Sequence, residues 1–316
     1  MMKIVFMGTP DFSVPVLQHL IDDDKYEVVC VVTQPDRPKG RKHQLTASPV
    51  KILAEKFTIP VLQPERVRNP EAVGEILDFK PDLLVTAAYG QILPQSLLNG
   101  PPLGCINVHA SLLPEYRGAA PIQQAVIDGK KESGVTIMYM VKKLDAGDIL
   151  SKVSVPITDD DTFGSLHDKL SAAGSGLLMA TLEDLAAGAV TPVRQDDQRA
   201  TFAPSIKHED EAIDWNKAAE DVRNLIRGLN PFPGAFTYLD GTVFKIFSAT
   251  LTNRKSSALP GTVVIADESD GFFVATGSGQ LLEIKECQPA GKKRMGVADF
   301  LRGRVLKSGT VLGPKA

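Results

Sequence analysis

The sequence predicts two domains: an N-terminal α/β domain built on a mainly parallel sheet, and a small C-terminal β-barrel domain. Its 316 residues are more than one ordinary domain requires. The first half alternates short, β-branched apolar segments with helix-compatible ones, as βαβ units do. The last hundred or so residues contain about five short strand-like segments with turn residues between them, which is typical of a small barrel. We place the N-terminal domain at residues 1–189, a linker at 190–207 and the C-terminal domain at 208–316.

The N-terminal domain is predicted to begin with four buried parallel strands. These are the segments KIVFMG, EVVCVVT, DLLVTAA and GCINVHA. Helices are predicted between them at VPVLQHLIDD, SPVKILAEKF and NPEAVGEILDF. Ser48 and Asn69 precede prolines at the starts of the last two helices and are the expected N-caps. Two more strands, GVTIMYMV and ILSKVSVPI, and a helix from about Thr162 to Ala187 complete the domain.

The C-terminal domain is predicted to follow a polar connection with no sustained period, GAVTPVRQDDQRATFAPSIKHED. One helix is expected within WNKAAEDVRNLIRGL. A hairpin is then expected around Asp240-Gly241, because this dipeptide favours the tight turn between two antiparallel strands. Three further strands, GTVVIAD, GFFVAT and QLLEIKECQ, give the number that the OB fold uses.

The composition indicates a globular cytoplasmic protein. Hydrophobic residues make up 43% and charged residues 23% of the chain, and no apolar run approaches the roughly 20 residues that span a bilayer. The first residues, MMKIVFMGTPDF, lack the features of a secretion signal. Cys30, Cys105 and Cys287 are far apart and have no Cys-x-x-Cys spacing, so we expect buried reduced thiols, although a nucleophilic cysteine is the alternative.

Two polar side chains at the end of a predicted strand are the first candidates for chemistry. Asn107 and His109 are two residues apart in GCINVHA and therefore project from the same face of the strand. In an open α/β sheet, ligands bind at the carboxyl ends of strands. There the Asn107 amide and the His109 imidazole can together hold a carbonyl oxygen. The alternative is that both are satisfied polar groups of a buried strand.

A turn between the last two strands of the N-terminal domain supplies a third candidate. In KKLDAGD, Asp145 and Asp148 flank Ala-Gly, and a carboxylate fixed in such a turn can orient His109 or take a proton through water. The alternative is that both aspartates only form the turn.

Two other kinds of site are disfavoured by spacing. The first strand-to-helix turn, MGTPDF, contains only Gly8 of a dinucleotide fingerprint, which disfavours a nicotinamide-dependent oxidoreductase. The five histidines are never spaced as metal ligands are, so no metal is expected.

Basic residues are concentrated in two places on a chain of net charge −3. The segment QPDRPKGRKHQL contains Arg37, Lys39, Arg41 and Lys42. From Lys285 to the end, the chain contains eight lysines and arginines but only two acidic residues. Such patches indicate a polyanionic partner, and solvated surface charge is the alternative for either patch alone.

Several motifs together resemble one enzyme family. Asn107, His109, the loop SLLPEYRGAAP and the turn LDAGDI look like the signature of formyltransferases that use 10-formyltetrahydrofolate. The opening MKIVFMGTPDFSVPVL, the basic segment QPDRPKGRKHQLTASPVK and the ending GKKRMGVADFLRG resemble the methionyl-tRNA branch of that family over essentially the whole chain. Glycinamide ribonucleotide formyltransferases resemble only the first half, and formyltetrahydrofolate dehydrogenases carry an additional domain.

The resemblance implies a Rossmann-like formyltransferase domain followed by an OB-like domain, with tRNA bound along both. It implies that Asn107, His109 and Asp145 are catalytic, and that residues 34–51 form the tRNA-reading loop. Arg41 then probes the end of the acceptor stem. The residues that the resemblance assigns to the folate site are Ser111, Leu112, Leu113 and Pro114. The residues expected to contact tRNA are Arg37, Lys39, Arg41, Lys42, Lys292, Lys293 and Arg294.

The expected reaction is transfer of the formyl group of 10-formyltetrahydrofolate to the amino group of initiator methionyl-tRNA, by a monomer and without a metal. The first alternative is a folate-dependent formyltransferase or hydrolase acting on a small amine or water. A more distant alternative is a non-catalytic RNA-binding protein, which has no need of Asn107, His109 and Asp145.

Overall fold

The computed structural model describes residues 1–39 and 44–313. The chain divides into two compact units, each assembled from more than one stretch of sequence. Unit 1 contains Met1–Pro121, Glu132–Pro156 and His167–Ala203. Unit 2 contains Ile122–Lys131, Ile157–Leu166 and the chain from Pro204 onward.

Unit 1 is built on a seven-stranded, mostly parallel sheet. Its strands are β1 (Met2–Gly8), β2 (Tyr26–Val32), β5 (Val61–Leu62), β6 (Leu83–Ala87), β7 (Cys105–His109), β9 (Glu132–Tyr139) and β10 (Ile149–Pro156). They lie in the order β10-β9-β7-β6-β1-β2-β5. The five strands from β7 to β5 are parallel, whereas β9 and β10 are antiparallel to their neighbours. Every residue of β6 is buried, because strands at the centre of such a sheet are covered on both faces.

Four short strands lie outside this sheet. They are β3 (Arg37–Lys39), β4 (Gln44–Thr46), β8 (Arg117–Gly118) and β11 (Phe202–Ala203). The β3 and β4 strands form an antiparallel pair at the base of the basic loop. The β8 and β11 strands pair in parallel, so residues from the predicted linker form backbone bonds beside the SLLPEYRG loop.

The helices begin at the predicted N-cap residues, but only one of the two predicted caps makes its side-chain hydrogen bond. The chain contains α1 (Val14–Asp22), α2 (Pro49–Lys56), α3 (Pro70–Asp78), α4 (Gln95–Leu98), α5 (Pro121–Ile127) and α6 (Phe163–Ala186) before the predicted linker. Ser48 caps α2 by accepting a hydrogen bond from the Lys51 amide. Asn69 is the N-cap of α3, but its side chain makes no capping bond. The long helix predicted from about Thr162 to Ala187 is α6. No helix of the described residues is long and apolar enough to cross a membrane.

Unit 2 is an antiparallel β domain with two helices in its C-terminal stretch. After α7 (Ala219–Gly228) come β12 (Ala235–Leu239), β13 (Thr242–Lys255), β14 (Val263–Asp267), β15 (Gly271–Ala275), β16 (Gln280–Pro289), β17 (Met295–Gly296) and α8 (Val297–Arg302). The strands pair in the order β12-β13-β16-β15-β14, with β17 also on β16. Asp240 and Gly241 both have positive φ, at 51° and 75°, as the predicted tight hairpin between β12 and β13 requires. The predicted fold class, a mostly parallel α/β domain followed by an antiparallel β domain, is confirmed.

Each unit has its own hydrophobic core. In unit 1, one cluster joins side chains of β1, β2 and β6 to those of α3 and α4. In unit 2, the core joins α7 and α8 to the β sheet and includes Trp215, Phe244 and Phe272. All three cysteines are buried and reduced, as predicted. Burial raises the pKa of each thiol to about 12, which keeps the thiols protonated and unreactive near neutral pH.

Candidate active site

Asn107 and His109 lie on one strand of unit 1, and the turn between β9 and β10 brings Asp145 beside His109. Asn107 and His109 lie on β7, where Asn107 is paired in register with Thr86 of β6 and His109 with Thr136 of β9. Asp145 lies in the turn that joins β9 to β10. His109 is 6% exposed, and Asn107 and Asp145 are half-buried. All three groups therefore combine restricted solvent access with a fixed backbone.

His109 is held by a hydrogen bond that identifies its protonated nitrogen. Its Nε2 lies 3.0 Å from the carbonyl oxygen of Tyr116. A carbonyl can only accept, so Nε2 is the donor. The other ring nitrogen, Nδ1, lies 3.8 Å from Asp145 Oδ2. The imidazole is thus oriented with Nδ1 toward the carboxylate.

Asp145 is held by its side chain and by its backbone. Its Oδ2 accepts a hydrogen bond of 2.8 Å from the Gly118 amide. Its own carbonyl accepts another of 2.8 Å from Gln195 Nε2. The residue has φ +45°, a left-handed conformation that non-glycine residues seldom adopt and that surrounding contacts must maintain.

Asn107 is oriented by the neighbouring strand. Thr86 Oγ1 lies 2.7 Å from Asn107 Oδ1 and 3.1 Å from the Ile106 carbonyl oxygen, and its one proton is donated to the nearer acceptor, Asn107. Because the amide oxygen is occupied in this way, the amide nitrogen with its two N–H donors is left to face the site. This is the orientation that a group meant to bind a substrate oxygen requires.

A buried polar network that the sequence did not reveal lies behind the Asp145 turn. Arg117 is 1% exposed, and its Nε and Nη2 donate to Gln195 Oε1 at 3.1 and 2.8 Å. Gln195 Nε2 donates to the carbonyls of Asp145 and Gly147, each at 2.8 Å. Arg117 Nη1 lies 2.9 Å from the carboxylate of Asp197. Arg117 is part of the SLLPEYRG motif, but no periodicity or spacing pointed to Gln195.

The four loop residues expected at the folate site are placed unequally. Ser111 and Leu113 are fully buried. Ser111 Oγ donates to the Glu115 carbonyl at 2.7 Å, and Leu113 packs with Met138 and Ile149. Pro114 is also buried, and Leu112 is half-buried. Leu112 is therefore the most accessible of the four side chains.

A lysine holds the backbone of this loop. Lys152 of β10 donates to the carbonyl oxygen of Leu113. Partial burial lowers the pKa of Lys152, and the nearby charge of Arg199 lowers it further. The hydrogen bond from Lys152 therefore fixes the loop to the sheet before any substrate binds.

Of the four basic residues expected in QPDRPKGRKHQL, Arg37 is the one whose side chain the structure describes. Arg37 pairs with Glu65 across exposed surface at 2.7 Å. Arg41 and Lys42 lie outside the described residues, and Lys39 is described only by its backbone.

Below these residues, Lys51 Nζ contacts Asp36 Oδ2 at 2.7 Å and Gln63 Oε1 at 2.8 Å. The hydrogen bonds from Lys51 and Gln63 lower the pKa of Asp36. The residues at the start and end of the basic segment are therefore held together by side-chain hydrogen bonds among Asp36, Lys51 and Gln63.

The three basic residues expected at the C-terminal patch differ in their surroundings. Lys292 and Lys293 are exposed, and no ion pair holds either of them among the residues that the structure describes. Arg294 contacts Glu286, donates 3.1 Å to Asn230 Oδ1 and covers the Phe247 ring at 4.5 Å. Arg294 is thus already engaged within unit 2, whereas the two lysines present free charge.

No group of His, Cys, Asp or Glu within residues 1–39 and 44–313 is arranged to hold a metal ion. The donors and acceptors gathered around Asn107, His109 and Asp145 suit proton transfer and the binding of a carbonyl oxygen.

Two family models match the chain. One, described as formyl transferase, matches residues 2–182, and the other, described as formyl transferase, C-terminal domain, matches residues 205–305. Together they cover nearly the whole sequence.

Curated relatives of high identity carry one name. A methionyl-tRNA formyltransferase of Bacillus subtilis (strain 168) is 57% identical over 313 residues, covering 99% of this chain and 98% of the relative. One of Geobacillus sp. (strain WCH70) is 58% identical over 303 residues, covering 96% of this chain and 95% of the relative.

Solved structures of lower identity share the fold. The methionyl-tRNA formyltransferase of Clostridium thermocellum has a TM-score of 0.56 at 17% identity, covering 81% of this chain and 96% of its own. An N-formyltransferase of Helicobacter canadensis, solved with folinic acid and dTDP-3-aminofucose, has a TM-score of 0.65 at 18% identity, covering 92% of this chain and all of its own.

Proposed function

The chain belongs to the methionyl-tRNA formyltransferase family, and we propose that Asn107, His109 and Asp145 are the residues that carry out its chemistry. It transfers the formyl group of 10-formyltetrahydrofolate to the free amino group of initiator methionyl-tRNA, which yields formylmethionyl-tRNA for translation initiation. The observation that supports the assignment most strongly is the position of His109, held between the Tyr116 carbonyl and the Asp145 carboxylate.

The reaction requires a neutral amine that attacks the formyl carbon. A free α-amino group has a pKa of about 7.7 to 8.0, so a useful fraction is already neutral near pH 7. A strong base is therefore unnecessary. The amine nitrogen forms a bond to the formyl carbon, the bond from that carbon to N10 of the folate breaks, and the proton that the amine loses passes to N10 as tetrahydrofolate leaves. The protein has to position the amine, stabilise the negative charge that develops on the formyl oxygen, and carry that proton between the two nitrogens.

Asn107 and His109 are suited to the oxygen. The Asn107 amide nitrogen is free to donate because Thr86 occupies the amide oxygen. A protonated His109 supplies a second donor and a positive charge at Nδ1. Removing one such donor costs roughly 10²- to 10³-fold in kcat in comparable sites.

Asp145 is suited to supporting the charge on His109 and to accepting the departing proton, directly or through water. At 3.8 Å from Nδ1, its carboxylate stabilises the imidazolium electrostatically. The Gly118 amide keeps Oδ2 in place without neutralising it. The proton therefore has a defined acceptor beside the imidazole.

The folate and tRNA contacts are also proposals. Because the side chains of Ser111, Leu113 and Pro114 are buried, we propose that the loop 111–114 contributes backbone groups and Leu112 to the folate site. Arg37, Lys39, Arg41 and Lys42 contact the acceptor end of tRNA, with Arg41 reading the initiator stem. Lys292 and Lys293 contact phosphates, and Arg294 supports that surface.

The experiment that tests the function measures labelled formyl transfer from 10-formyltetrahydrofolate to charged initiator tRNA. Charged elongator tRNA and glycinamide ribonucleotide are parallel acceptors. Transfer confined to the initiator is the expected result. Hydrolysis of the folate, or formylation of the small amine instead of tRNA, would favour the first alternative function.

Variants assign the residues in the same assay. His109→Ala and Asp145→Ala should each lower kcat on the order of 10²-fold or more while tRNA binding stays close to that of the unaltered protein. A loss of binding as large as the loss of rate would contradict catalytic roles.

Arg41→Ala should reduce the preference for initiator tRNA, and equal losses on both tRNAs would contradict its reading role.

We further propose that the protein acts as a monomer in the cytoplasm, where its tRNA substrate is charged. Light scattering after size-exclusion chromatography measures the first point. A mass of 34.0 kDa is expected, and a mass twice that value would refute it.

A further inference from the structure

We propose that Arg117 and Gln195 are positioning residues that hold the Asp145 turn in its active geometry. We name the pair the Arg117–Gln195 clamp. The proposal rests on the catalytic role proposed for Asp145, and it assigns to two buried side chains a function in the same reaction.

The direction of the Gln195 amide is fixed by its partners. Arg117 can only donate, so the Gln195 atom that faces Nε and Nη2 must be the oxygen. The Gln195 nitrogen then faces the carbonyls of Asp145 and Gly147, which can only accept. Every bond in this set therefore has one possible polarity, and the amide has no alternative rotamer of equal energy.

The turn that the clamp holds needs such support. Asp145 has φ +45°, a conformation that persists only where neighbouring contacts favour it. At Gly147, an added Cβ would lie 1.8 Å from the Tyr139 carbonyl oxygen, so the backbone there is pressed against the end of β9. Gln195 bonds to the carbonyls on either side of the intervening residue, Ala146.

Arg117 belongs to a short segment that contacts two of the three proposed catalytic residues, His109 and Asp145. Three consecutive residues supply these contacts and the contact to Gln195. The Tyr116 carbonyl accepts from His109, the Arg117 guanidinium holds Gln195, and the Gly118 amide donates to the Asp145 carboxylate. Pairing of β8 with β11 fixes this segment. Residues 116–118 therefore connect the His109 ring to the Asp145 carboxylate.

The burial of Arg117 is consistent with a role beyond stability. A buried guanidinium is costly to desolvate, and apolar side chains of similar size often replace such groups without loss of stability. Here the charge is matched at the surface end by Asp197. Lys143 and Arg117 lower the pKa of Asp197, so this outer partner stays ionised. The other guanidinium nitrogens, Nε and Nη2, donate to Gln195.

The test is the change Gln195→Glu. A glutamate keeps the size of the side chain and its attraction to Arg117. It also replaces the two N–H donors by an oxygen that faces two carbonyl oxygens. We expect the Asp145 turn to move, and kcat to fall on the order of 10- to 100-fold, with the KM for methionyl-tRNA within about twofold of the unaltered value.

The matched control is Gln280→Glu in β16. Gln280 Nε2 donates to the Thr252 carbonyl at 2.5 Å, so the same amide-to-acid change faces a carbonyl within the other unit. We expect kcat to stay unchanged there. A loss in the control as large as in Gln195→Glu would show a general effect of such changes and overturn the proposal.

Two further measurements separate positioning from simple loss of structure. Combined with Asp145→Asn, the Gln195→Glu change should add little further loss, since both act through one carboxylate. If the fold-losses in kcat of the two single variants multiply in the double variant, the proposed role of the clamp is overturned. A crystal structure of Gln195→Glu should show the His109 Nδ1 to Asp145 Oδ2 distance increased beyond 3.8 Å, and an unmoved turn would also overturn it. That distance is measurable even where the unaltered protein transfers no formyl group to tRNA, which is the result that defeats the proposed function.

Discussion

At the scale of single residues, the sequence predicted the groups that face the site better than the groups behind them. Asn107 and His109 lie on one strand, so their common face follows from β geometry alone. Arg117 and Gln195 are separated by 78 residues, and the segment that contains Gln195 is anchored at Val193, which bridges to Ile149, and at β11, which pairs with β8. A glutamine in a polar segment without periodicity carries no local signal of burial, so its position could not be predicted.

Thr86 gives a prediction at this scale. Thr86→Val removes the hydroxyl that donates to Asn107 Oδ1 and keeps the β-branched shape. The Asn107 amide then has no fixed orientation, and we expect kcat to fall roughly 10-fold with tRNA affinity unchanged. The control is Thr181→Val in α6, a buried threonine that bonds to Ser151 and the Leu177 carbonyl. Equal kcat values for the two variants would contradict the orienting role of Thr86.

The three buried thiols give a second prediction. Unfolded cysteines titrate near 8.5, whereas each folded thiol has a pKa of about 12. Their stabilising effect is therefore complete below pH ~8.5 and is lost as the pH rises from there toward 12. At pH 8 a thiol-specific reagent should label none of the three in the folded protein and all three in guanidinium chloride. Stoichiometric labelling of the folded protein would contradict this burial.

At the scale of elements, the strands and long helices form where their sequence patterns predicted them. The strand pairing of the segment predicted as a linker had no such local signal. Residues 190–203 fall in unit 1, where Val193 bridges to Ile149 and Phe202–Ala203 forms β11. Extended backbone that pairs with another segment over two residues has no periodic signature. The pairing depends on a distant partner, which no local pattern reveals.

The base of the basic loop gives the prediction for elements. Asp36→Asn weakens the contact with Lys51 and should lower the Tm by about 1 to 3 °C at pH 7. Because the pKa of Asp36 is lowered in the folded protein, its contribution is present above about pH 4 and is lost as the pH falls through the folded value. The Tm difference from the unaltered protein should therefore shrink toward pH 3. A difference that is constant with pH would show that the ion pair contributes nothing.

At the scale of the whole molecule, both the fold class and the reaction followed from motifs distributed along the entire chain. The charge pattern predicted the basic C-terminal patch, but it could not distinguish a free lysine from an arginine engaged within the fold. That distinction depends on the partners Glu286, Asn230 and Phe247, which only the folded unit brings to Arg294.

The patch therefore gives a prediction about tRNA binding and stability. Lys292→Ala and Lys293→Ala should each reduce the slope of log affinity against log salt concentration by about 1, with the Tm unchanged. Arg294→Ala should instead lower the Tm by roughly 2 to 4 °C. An unchanged salt slope in both lysine variants would show that neither contacts a phosphate.

The division of the chain has a consequence for cutting it. Unit 2 includes Ile122–Lys131 and Ile157–Leu166, which the ribosome makes well before the rest of that unit. Ile127 packs on the unit 2 core, and Arg227 bonds to the carbonyls of Thr158 and Asp161. A fragment that starts at Pro204 would lack both pieces, and a fragment that ends at Ala203 would expose them without their partners. The chain can therefore be broken after Ala203 only where both fragments are present together. Co-expression of the two fragments, or a nick after Ala203 in the folded protein, meets this condition and lets each unit keep its core.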